Sequence, residues 1–567
     1  MIAVLLAHHD GQDANKAASM DTLTDEQARA ARHEKGPACV IAGAGTGKTF
    51  CVINRIVHLI ETQHVQPSRI WVTTFTRKAT AELYQRVHEH LGDMANQLRI
   101  STIDALIWRL AQEAMHKGFI RSARLIDQAH QRVLLLETAF ETFGPKDRFL
   151  KIPWIWCVDK AGLLKLLEDY VLSERTHGRE KKQVQDSIRD RLKGLRNRRN
   201  LGEPTFRNLQ QIAKKYLEKL DRLGAIDSDL ASSSLLHCLK KQRGLAKDFA
   251  SQTEAILVDE FQDTSSVQAE ILCLLAGKRR HIWVVGDQCQ QIYEWRGAGP
   301  RNLMQFRKNT HSRKYYLTEN RRSRQPILDA AYFFLSRQVP ALKRARMLKP
   351  LTSVRSHPEQ NDEPVYTGTL DQALWLVKQR LDTNSDLRPG DIAILSHKLT
   401  KETVNRIQQK ADEHGLKVQF HSSRADRALE QTISPNGTPP SWKAGRALDN
   451  LYSHPRIQKR ISGALRGKKF DELRLIHPLA TAAEALDSSS NKLNFQEAWP
   501  ALKKTQDRDV QITPAVVSRP DAIQVMTIHA AKGLEFPVVL LMTLGEAFPS
   551  PADPEDSRLV YVGATRA

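Results

Sequence analysis

The sequence predicts an α/β fold built on parallel sheets, and three observations support this prediction. An apolar run at 38–41 leads into the glycine-rich stretch AGAGTGKT at 42–49, which a helical pattern follows. A second apolar run ends in the adjacent carboxylates Asp259 and Glu260. More apolar runs that end in polar residues lie at 69–75, 100–104 and 281–287. Strands that alternate with helices are typical of a parallel sheet.

The stretch at 42–49 has the setting of a phosphate loop. The backbone N–H groups of such a loop can point at an anion, and the following helix start adds positive charge. Lys48 is suited to reach the outer phosphates of a nucleotide, and Thr49 to hold Mg²⁺. The other loop residues expected to bind ATP are Gly43, Ala44, Gly45, Thr46 and Gly47. A glycine-rich turn that binds nothing is the alternative, and the downstream carboxylates argue against it.

Those carboxylates predict nucleotide hydrolysis. Asp259 is suited to hold Mg²⁺, and Glu260 to orient and deprotonate the attacking water. Further upstream, Thr24 is a candidate helix N-cap and Gln27 follows it. Because an amide can both donate and accept hydrogen bonds, Gln27 is a candidate for reading adenine. ATP and Mg²⁺ are therefore the expected ligands.

Size and charge narrow the class of protein. A chain of 567 residues exceeds a single hydrophobic core, so several domains are expected. The 85 Lys and Arg residues against 64 Asp and Glu give a net charge of +21, which indicates a polyanionic partner: nucleic acid first, an anionic membrane second. No apolar run reaches the roughly 18 residues of a membrane span, and we expect a cytoplasmic protein. The six cysteines form no CxxC pair, so we expect neither zinc nor an iron–sulfur cluster.

Polar and aromatic residues after the predicted strands are candidates for contact with nucleic acid. In an open α/β sheet, ligands collect at the carboxyl ends of the strands. Hydroxyl and basic groups suit phosphates there, and aromatic rings can stack on bases. The candidates are Thr74, Phe75, Arg77, Thr102, Tyr293, Trp295 and Arg296. The pattern leaves Phe75 open between a core aromatic and a stacking surface. In the same loop as the last three, the amide of Gln290 is suited to sense a γ-phosphate.

The order of these blocks resembles that of superfamily 1 DNA helicases of the UvrD/Rep type. Further blocks continue the match at 317–323, 525–536 and 558–567, so the resemblance spans 23–567. VDEFQDT, IYEWRGA and HAAKGLEF are far more specific than a phosphate loop alone. The resemblance implies an ATP-dependent 3′ to 5′ helicase or translocase that acts on single-stranded or tailed DNA. It also implies a role in repair, replication restart or recombination.

The resemblance implies two RecA-like parallel-sheet domains, each interrupted by a mainly helical insertion, with ATP between them. We expect residues 1–20 to be a loose N-terminal extension. The implied first domain comprises 21–110 and 205–315 with the insertion 111–204, and the second comprises 316–400 and 515–567 with the insertion 401–514.

Several site residues follow from the resemblance alone. Arg322 and Arg566 would reach the transition-state charge from the second domain. Glu535 would touch the ribose, and His529 would contact DNA. Arg321 stands where the family commonly has a tyrosine that stacks on adenine, and a planar guanidinium can also stack.

Two further departures from the family pattern bear on the interpretation. Cys289 stands where the family usually has an acidic residue, and we assign it no role. The sequence stops one residue after Arg566, where the family continues. We therefore expect either a fragment truncated at its C-terminus or a second domain that is completed unusually.

Two other functions stay open from the sequence. One is an ATP-dependent DNA-binding sensor or regulatory subunit, with a nuclease or repair protein as its partner and no unwinding activity of its own. The other is an inactive DNA-binding protein, which the intact Lys48, Glu260 and Arg566 disfavour. Strand displacement would distinguish a helicase from both.

Overall fold

The computed structural model describes 2–6, 23–143, 206–277, 281–292, 302–354, 365–421, a few residues between 450 and 458, 520–542 and 554–567. The chain divides into two compact units. The first unit comprises Met1–Leu106, Leu239–Ser422 and Ala515–Ala567, and the second comprises Ile107–Cys238 and Ser423–Pro514. Within the described ranges, no helix is long and apolar enough to cross a membrane.

Short strands alternate with helices along much of the chain. The strands are β1 (Ile2–Leu6), β2 (Ala38–Ala42), β3 (Ile70–Thr74), β4 (Arg99–Thr102), β5 (Arg124–Leu125), β6 (Ala225–Ile226), β7 (Ala255–Val258), β8 (Ile282–Gly286), β9 (Arg313–Leu317), β10 (Glu319–Asn320), β11 (Thr352–Ser353), β12 (Val365–Gly368), β13 (Ile392–Ser396), β14 (Val418–Phe420), β15 (Ile523–Thr527) and β16 (Val538–Met542). The helices are α1 (Asp25–Ala31), α2 (Lys48–Glu61), α3 (Arg77–Leu91), α4 (Ile103–His116), α5 (Gln128–Phe143), α6 (Phe206–Arg222), α7 (Ser228–Lys241), α8 (Arg243–Ser251), α9 (Ser266–Leu275), α10 (Asn302–Thr310), α11 (Gln325–Gln338), α12 (Pro340–Arg344), α13 (Leu370–Thr383), α14 (Lys401–Glu413) and α15 (Pro554–Ala564).

The first sheet has six parallel strands in the order β4-β3-β7-β8-β2-β9. Its central strands β2, β3, β7 and β8 are buried at every residue, which is typical of a sheet covered by helices on both faces. Because these strands are parallel, their carboxyl ends all lie at the same end of the sheet. The predicted parallel α/β sheet is therefore confirmed, and its strands bring the phosphate loop and the carboxylates to that end.

The second sheet has the order β12-β1-β16-β13-β15-β14 and contains one strand that the sequence analysis missed. Strand β1 lies between β12 and β16 and is antiparallel to both, whereas β13 is parallel to β15 and β16. The prediction that residues 1–20 form a loose extension is thus wrong for Ile2–Leu6. Five apolar residues are too few to show periodicity, and their hydrogen-bonding partners lie hundreds of residues away.

The boundaries of the first domain differ from those predicted. Strand β9 pairs with β2 through Leu317, so the first sheet ends beyond residue 315. Residues 206–238, predicted to belong to this domain, lie in the second unit, where β6 pairs with β5. Short elements do not reveal from their own composition which sheet or bundle they join. Most of the predicted insertion 111–204 lies outside the described residues.

The second insertion also starts later than predicted. Helix α14 and strand β14 lie within the predicted insertion 401–514, yet β14 is the edge strand of the second sheet and pairs in parallel with β15. Apolar side chains of both elements, including Ile407 and Phe420, belong to the core of that sheet. The second sheet therefore extends through residue 421.

One buried hydrogen bond ties helix α1 to the core of the first sheet. The indole Nε1 of Trp283, on β8, donates to the carbonyl oxygen of Ala30 at 3.0 Å, and the tryptophan is 2% exposed. We expect Trp283→Phe to lower the free energy of unfolding of the first sheet by about 1–3 kcal/mol, because a hydrogen bond is lost and a gap remains. Hydrogen exchange of the β2 and β8 amides measures this loss. Trp375→Phe is the control, because Trp375 is 55% exposed, and an equal effect of the two changes would contradict the prediction.

Candidate nucleotide and DNA site

The phosphate loop follows β2 and ends at the start of α2, as the sequence predicts. Gly45 and Gly47 have φ angles of +64° and +72°, in the left-handed region that favours glycine. A Cβ atom at Gly45 would lie 2.7 Å from Cβ of Arg322, and one at Gly47 would lie 2.6 Å from Nε2 of Gln27. Both positions therefore require glycine. The loop also leaves a cradle of backbone N–H groups at the helix start, where phosphate fits.

The predicted metal and hydrolysis residues meet beside this loop. The hydroxyl Oγ1 of Thr49 donates to Oδ2 of Asp259 at 3.4 Å. Nζ of Lys48 lies 4.0 Å from Oε1 of Glu260. Glu260 itself has a φ of +52°, and its backbone N–H donates to Oδ1 of Asp259 at 2.8 Å. This turn after β7 points both carboxylates toward the phosphate loop.

The pKa values of the two carboxylates are shifted in opposite directions. Burial, followed by the charge of Glu260, raises the pKa of Asp259. Burial also acts to raise the pKa of Glu260, but the charges of Lys48 and Lys532 outweigh it and lower that pKa. A cation beside Asp259 would offset its burial, and a carboxylate with a hydroxyl is a donor set that suits Mg²⁺. The described residues contain no group of three or more His, Cys, Asp or Glu able to hold a metal.

A chain of hydrogen bonds links Gln262, in the turn after β7, to Arg566. Oε1 of Gln262 accepts from the backbone N–H of Asp287, and Oδ2 of Asp287 accepts from Nε2 of Gln290, both at 2.9 Å. Oε1 of Gln290 then accepts from Nη2 of Arg566 at 2.9 Å. Cys289 is buried in the turn after β8, and its backbone N–H donates to Oδ1 of Asp287. The predicted γ-phosphate sensor therefore contacts a predicted transition-state arginine directly.

We define the nucleotide site as residues 43–49 with Asp259 and Glu260. The two predicted transition-state arginines, Arg322 and Arg566, lie beside it. Arg322 packs against Gly45, its Nη1 donates to the carbonyl of Thr565 at 3.1 Å, and it forms an ion pair with Glu535. Burial, and then repulsion by Arg322, lower the pKa of Arg566 to about 9. Arg566 therefore stays charged at neutral pH. Arg322 thus contacts the loop directly, whereas Arg566 donates to the carbonyls of Val562 and Leu534 and to Gln290.

Gln27 and Arg321 each donate a hydrogen bond to a carbonyl of the phosphate loop. Nε2 of Gln27 donates to the carbonyl of Thr46 at 2.9 Å, and its Oε1 accepts from the backbone N–H of Thr24 at 3.0 Å. Thr24 is the N-cap of α1, as predicted. The backbone N–H of Arg321 donates to the carbonyl of Gly45 at 2.9 Å. The Gln27 amide therefore supports the loop, and adenine recognition by either residue stays a prediction.

The candidate DNA residues divide into three groups. Thr74 and Thr102 are paired on neighbouring strands. The Thr74 side chain is buried and its hydroxyl bonds that of Thr80, whereas Thr102 is half-buried and its hydroxyl accepts from the backbone N–H of Ala105 at the start of α4. Their predicted contact with DNA stays a prediction. In the second group, Arg77 is exposed, and Phe75 and His529 are half-buried. Tyr293, Trp295 and Arg296 lie outside the described residues.

Sequence reasoning assigned no role to three residues that the structure brings to the site. Nδ2 of Asn320 donates to the carbonyl of Ala44 at 2.6 Å. Nζ of Lys532 forms an ion pair with Oδ2 of Asp263 at 2.5 Å and donates to the carbonyl of Gln290 at 3.0 Å. Lys532 and Asp263 both lie within the most specific sequence blocks. Their opposite charges were the only available signal, because 269 residues separate them.

Comparison with known proteins agrees with this geometry. Residues 23–311 match the family model of the UvrD/REP helicase N-terminal domain, and 397–567 match that of the UvrD-like helicase C-terminal domain. Three curated relatives align with 97% of the chain. ATP-dependent DNA helicase PcrA of Leuconostoc citreum is 25% identical with 82% of its length covered, and DNA helicase II of Escherichia coli (strain K12) is 24% identical with 83% covered. PcrA of Staphylococcus aureus (strain MRSA252) is 28% identical with 82% covered.

The ion pair of Lys532 and Asp263 generates a pH-dependent prediction. Burial raises the pKa of Asp263 to about 6 even though Lys532 acts to lower it. This folded pKa lies above that of an exposed aspartate, so the carboxylate favours the folded state most at low pH and loses that contribution as pH rises through about 6. In Lys532→Met the buried carboxylate has lost its counter-charge. We expect a loss of about 3–5 kcal/mol at pH 8 and a smaller loss at pH 5, where Asp263 is protonated.

Free energies of unfolding measured at both pH values test this expectation. Adding Asp263→Asn to Lys532→Met removes the buried charge and is expected to recover part of the loss at pH 8. Lys378→Met is the control, because Lys378 pairs with Asp382 on an exposed helix face. A loss that does not depend on pH would show that the charge of Asp263 is not its cause.

Proposed function

The chain belongs to the UvrD/REP helicase family, and we propose that it uses ATP hydrolysis to move 3′ to 5′ along single-stranded DNA and to unwind tailed duplexes. The hydrogen bond between Arg566 and Gln290 is the observation that most supports this function. It joins the residues that follow α15 to the turn after β8 of the first sheet. A change at the nucleotide can therefore alter how the two sheets contact each other.

The proposed hydrolysis uses the residues beside the phosphate loop. Lys48 binds the outer phosphates, and Glu260, whose carboxylate is kept charged by Lys48, accepts a proton from the attacking water. Thr49 and Asp259 would hold Mg²⁺, which when bound would neutralise negative charge on the phosphates. Arg322 and Arg566 stabilise the charge that develops in the transition state. The remaining proposed contacts are Gln27 and Arg321 for adenine, Glu535 for the ribose and Gln290 for the γ-phosphate.

Movement follows from the same charges. Two guanidinium groups at one place repel each other, and an anion between them offsets that repulsion. Loss of the γ-phosphate weakens this attraction, so the contact between the sheets loosens once per ATP. If DNA is gripped at the carboxyl ends of β3 and β15 alternately, by Phe75 and Arg77 on one side and His529 on the other, each cycle moves the strand by one step. Direction along the strand is part of the proposal.

The proposed setting is DNA repair, replication restart or recombination in the cytoplasm of a bacterium. The three relatives are bacterial proteins called DNA helicases. A nuclease or repair protein as partner belongs to the same proposal. A regulatory subunit without unwinding activity is less favoured, because the relatives that align with 97% of the chain are called DNA helicases.

Strand displacement tests the proposed function directly. With ATP, the purified chain is expected to unwind a duplex with a 3′ single-stranded tail and to leave a 5′-tailed duplex intact. Glu260→Gln keeps the shape of the side chain but removes the proton acceptor, so we expect ATPase turnover to fall about 10²- to 10⁴-fold while DNA binding is retained. Glu254→Gln, at the other end of the same strand, is the control. ATPase without displacement of either duplex would support the regulatory-subunit alternative instead.

Phe75 offers a second test, of DNA contact. If this half-buried ring stacks on a base, Phe75→Ala weakens single-strand binding by about 1–3 kcal/mol and reduces DNA stimulation of the ATPase. Phe75→Tyr, which keeps an aromatic ring, is expected to retain both. Fluorescence anisotropy with a labelled single strand measures the affinity. If Phe75→Ala lowers the unfolding temperature but leaves affinity unchanged, Phe75 is a core aromatic.

A further inference from the structure

A basic cavity lies in the first unit, apart from the nucleotide site. It has a volume of about 730 Å³ and is bounded by α10, the start of β9 and the end of α12. We define the basic cavity by its six basic residues, Arg307, Lys308, His311, Lys314, Arg344 and Arg346. The other lining residues are Met304, Ser312 and Ala345, so among the described residues no carboxylate and no Phe, Tyr or Trp ring lines it.

The basic cavity lies at the amino ends of the strands of the first sheet, and the phosphate loop lies at their carboxyl ends. Strands β2 and β9 are parallel neighbours, with Ala38 opposite Arg313 and Ala42 opposite Leu317. The phosphate loop follows the carboxyl end of β2. Ser312 precedes the amino end of β9, at the other end of the sheet. The basic cavity is therefore a separate feature and not an extension of the nucleotide site.

The cations of the basic cavity lack counter-charges of their own. In the part of the chain that the structure describes, none of the lysines and arginines that define the cavity lies within ion-pair distance of a carboxylate. Elsewhere on the same unit, surface lysines such as Lys378 and Lys410 do pair with acids. Positive charges gathered without acids repel one another, and a bound anion would relieve that repulsion.

A buried hydroxyl adds an independent observation. Ser312 is 9% exposed, lines the basic cavity, and its Oγ is buried without a hydrogen-bond partner among the described residues. A buried polar group without a partner is uncommon, because it loses hydrogen bonds to water and gains none. Rotation of the Ser312 side chain about χ1 would bring this hydroxyl to the basic cavity, where a phosphate oxygen can accept its hydrogen bond. The cations and the orphaned donor thus favour the same kind of ligand.

The backbone also holds two of these residues in a costly conformation. His311 and Arg346 have φ angles of +52° and +57°, in the left-handed region that residues with a Cβ rarely adopt. Each follows the end of a helix, α10 and α12 respectively, so the two side chains that flank the basic cavity come from tight turns. Such conformations are often found where a side chain must point at a ligand.

We propose that the basic cavity binds backbone phosphates of the DNA on which the protein acts, as a second anion site. This inference rests on the proposed function. The described lining offers no Phe, Tyr or Trp ring on which a base could stack, so the contact is with the backbone and is independent of sequence. Arginine and lysine are the side chains that supply such contacts, and each contact releases counterions from the DNA.

The test is the salt dependence of DNA affinity in charge-neutralised variants. Arg307→Gln combined with Arg344→Gln removes one cation from each side of the basic cavity. Arg243→Gln combined with Lys247→Gln removes the same charge from the exposed face of α8. In the first pair, the slope of log affinity against log salt is expected to become shallower by about 1.4 on single strands and about 1.8 on duplex, which corresponds to two lost phosphate contacts. The control pair is expected to change it by less than half as much.

Two further arms separate the possible outcomes. Arg307→Lys with Arg344→Lys keeps both charges and is expected to keep the slope, which distinguishes lost contact from misfolding. ATPase activity without DNA is expected to be unchanged in all variants. A slope equal to that of the control pair would overturn the inference while leaving the proposed helicase function intact. DNA that neither binds the wild type nor stimulates its ATPase would instead refute the proposed function.

The remaining arms identify another source of the same chemistry. Inorganic pyrophosphate and a poly-glutamate peptide are each titrated into the wild type and the Gln pair, with binding followed by thermal shift. If pyrophosphate stabilises only the wild type while the DNA slopes agree with the control, the site takes free phosphate. If the peptide alone discriminates, the site takes an acidic protein segment. Either result overturns the assignment to DNA.

Discussion

Charged groups at the buried carboxyl edge of the first sheet form the constraint on which the rest of the structure depends. Burying a charge without a partner is costly, so each one needs an opposite charge or a hydrogen-bond network. Lys48 faces Glu260, Asp263 faces Lys532, and Arg566 faces Gln290. Lys532 and Arg566 come from the segments that flank the second sheet. The requirement to pair buried charges therefore brings the two sheets into contact at the site of chemistry.

The same constraint explains why a nucleotide can act on the whole unit. The loop between β2 and α2 offers backbone donors, and Arg322 and Arg566 offer two positive charges that repel each other. Glu535 offsets part of this positive charge, and a polyphosphate would offset more of it. At Asp259, burial and the charge of Glu260 raise the pKa, so a cation beside this carboxylate would favour its charged form. Ligand binding and contact between the sheets are therefore favoured by the same electrostatic energy.

The surplus positive charge of the chain is not spread evenly over the first unit. At the carboxyl ends of the strands of the first sheet, cations lie within ion-pair distance of carboxylates. At the amino ends, the described residues of the basic cavity gather cations without acids and leave the hydroxyl of Ser312 without a partner. The first arrangement suits a ligand that is hydrolysed, since proton acceptors lie beside the phosphates. The second suits a ligand that is only held.

The sequence by itself determined the features whose residues are close together in the chain. Gly45, Gly47, Lys48 and Thr49 act through one turn, and the carboxylates Asp259 and Glu260 follow one apolar strand, so spacing and residue type were sufficient. The tertiary structure alone decided that Ile2–Leu6 is a strand, that the Thr74 hydroxyl is buried, and that Lys532 pairs with Asp263. These outcomes depend on partners that the local pattern does not contain. Hydrogen bonds and ion pairs between distant segments form only where the fold brings those segments together.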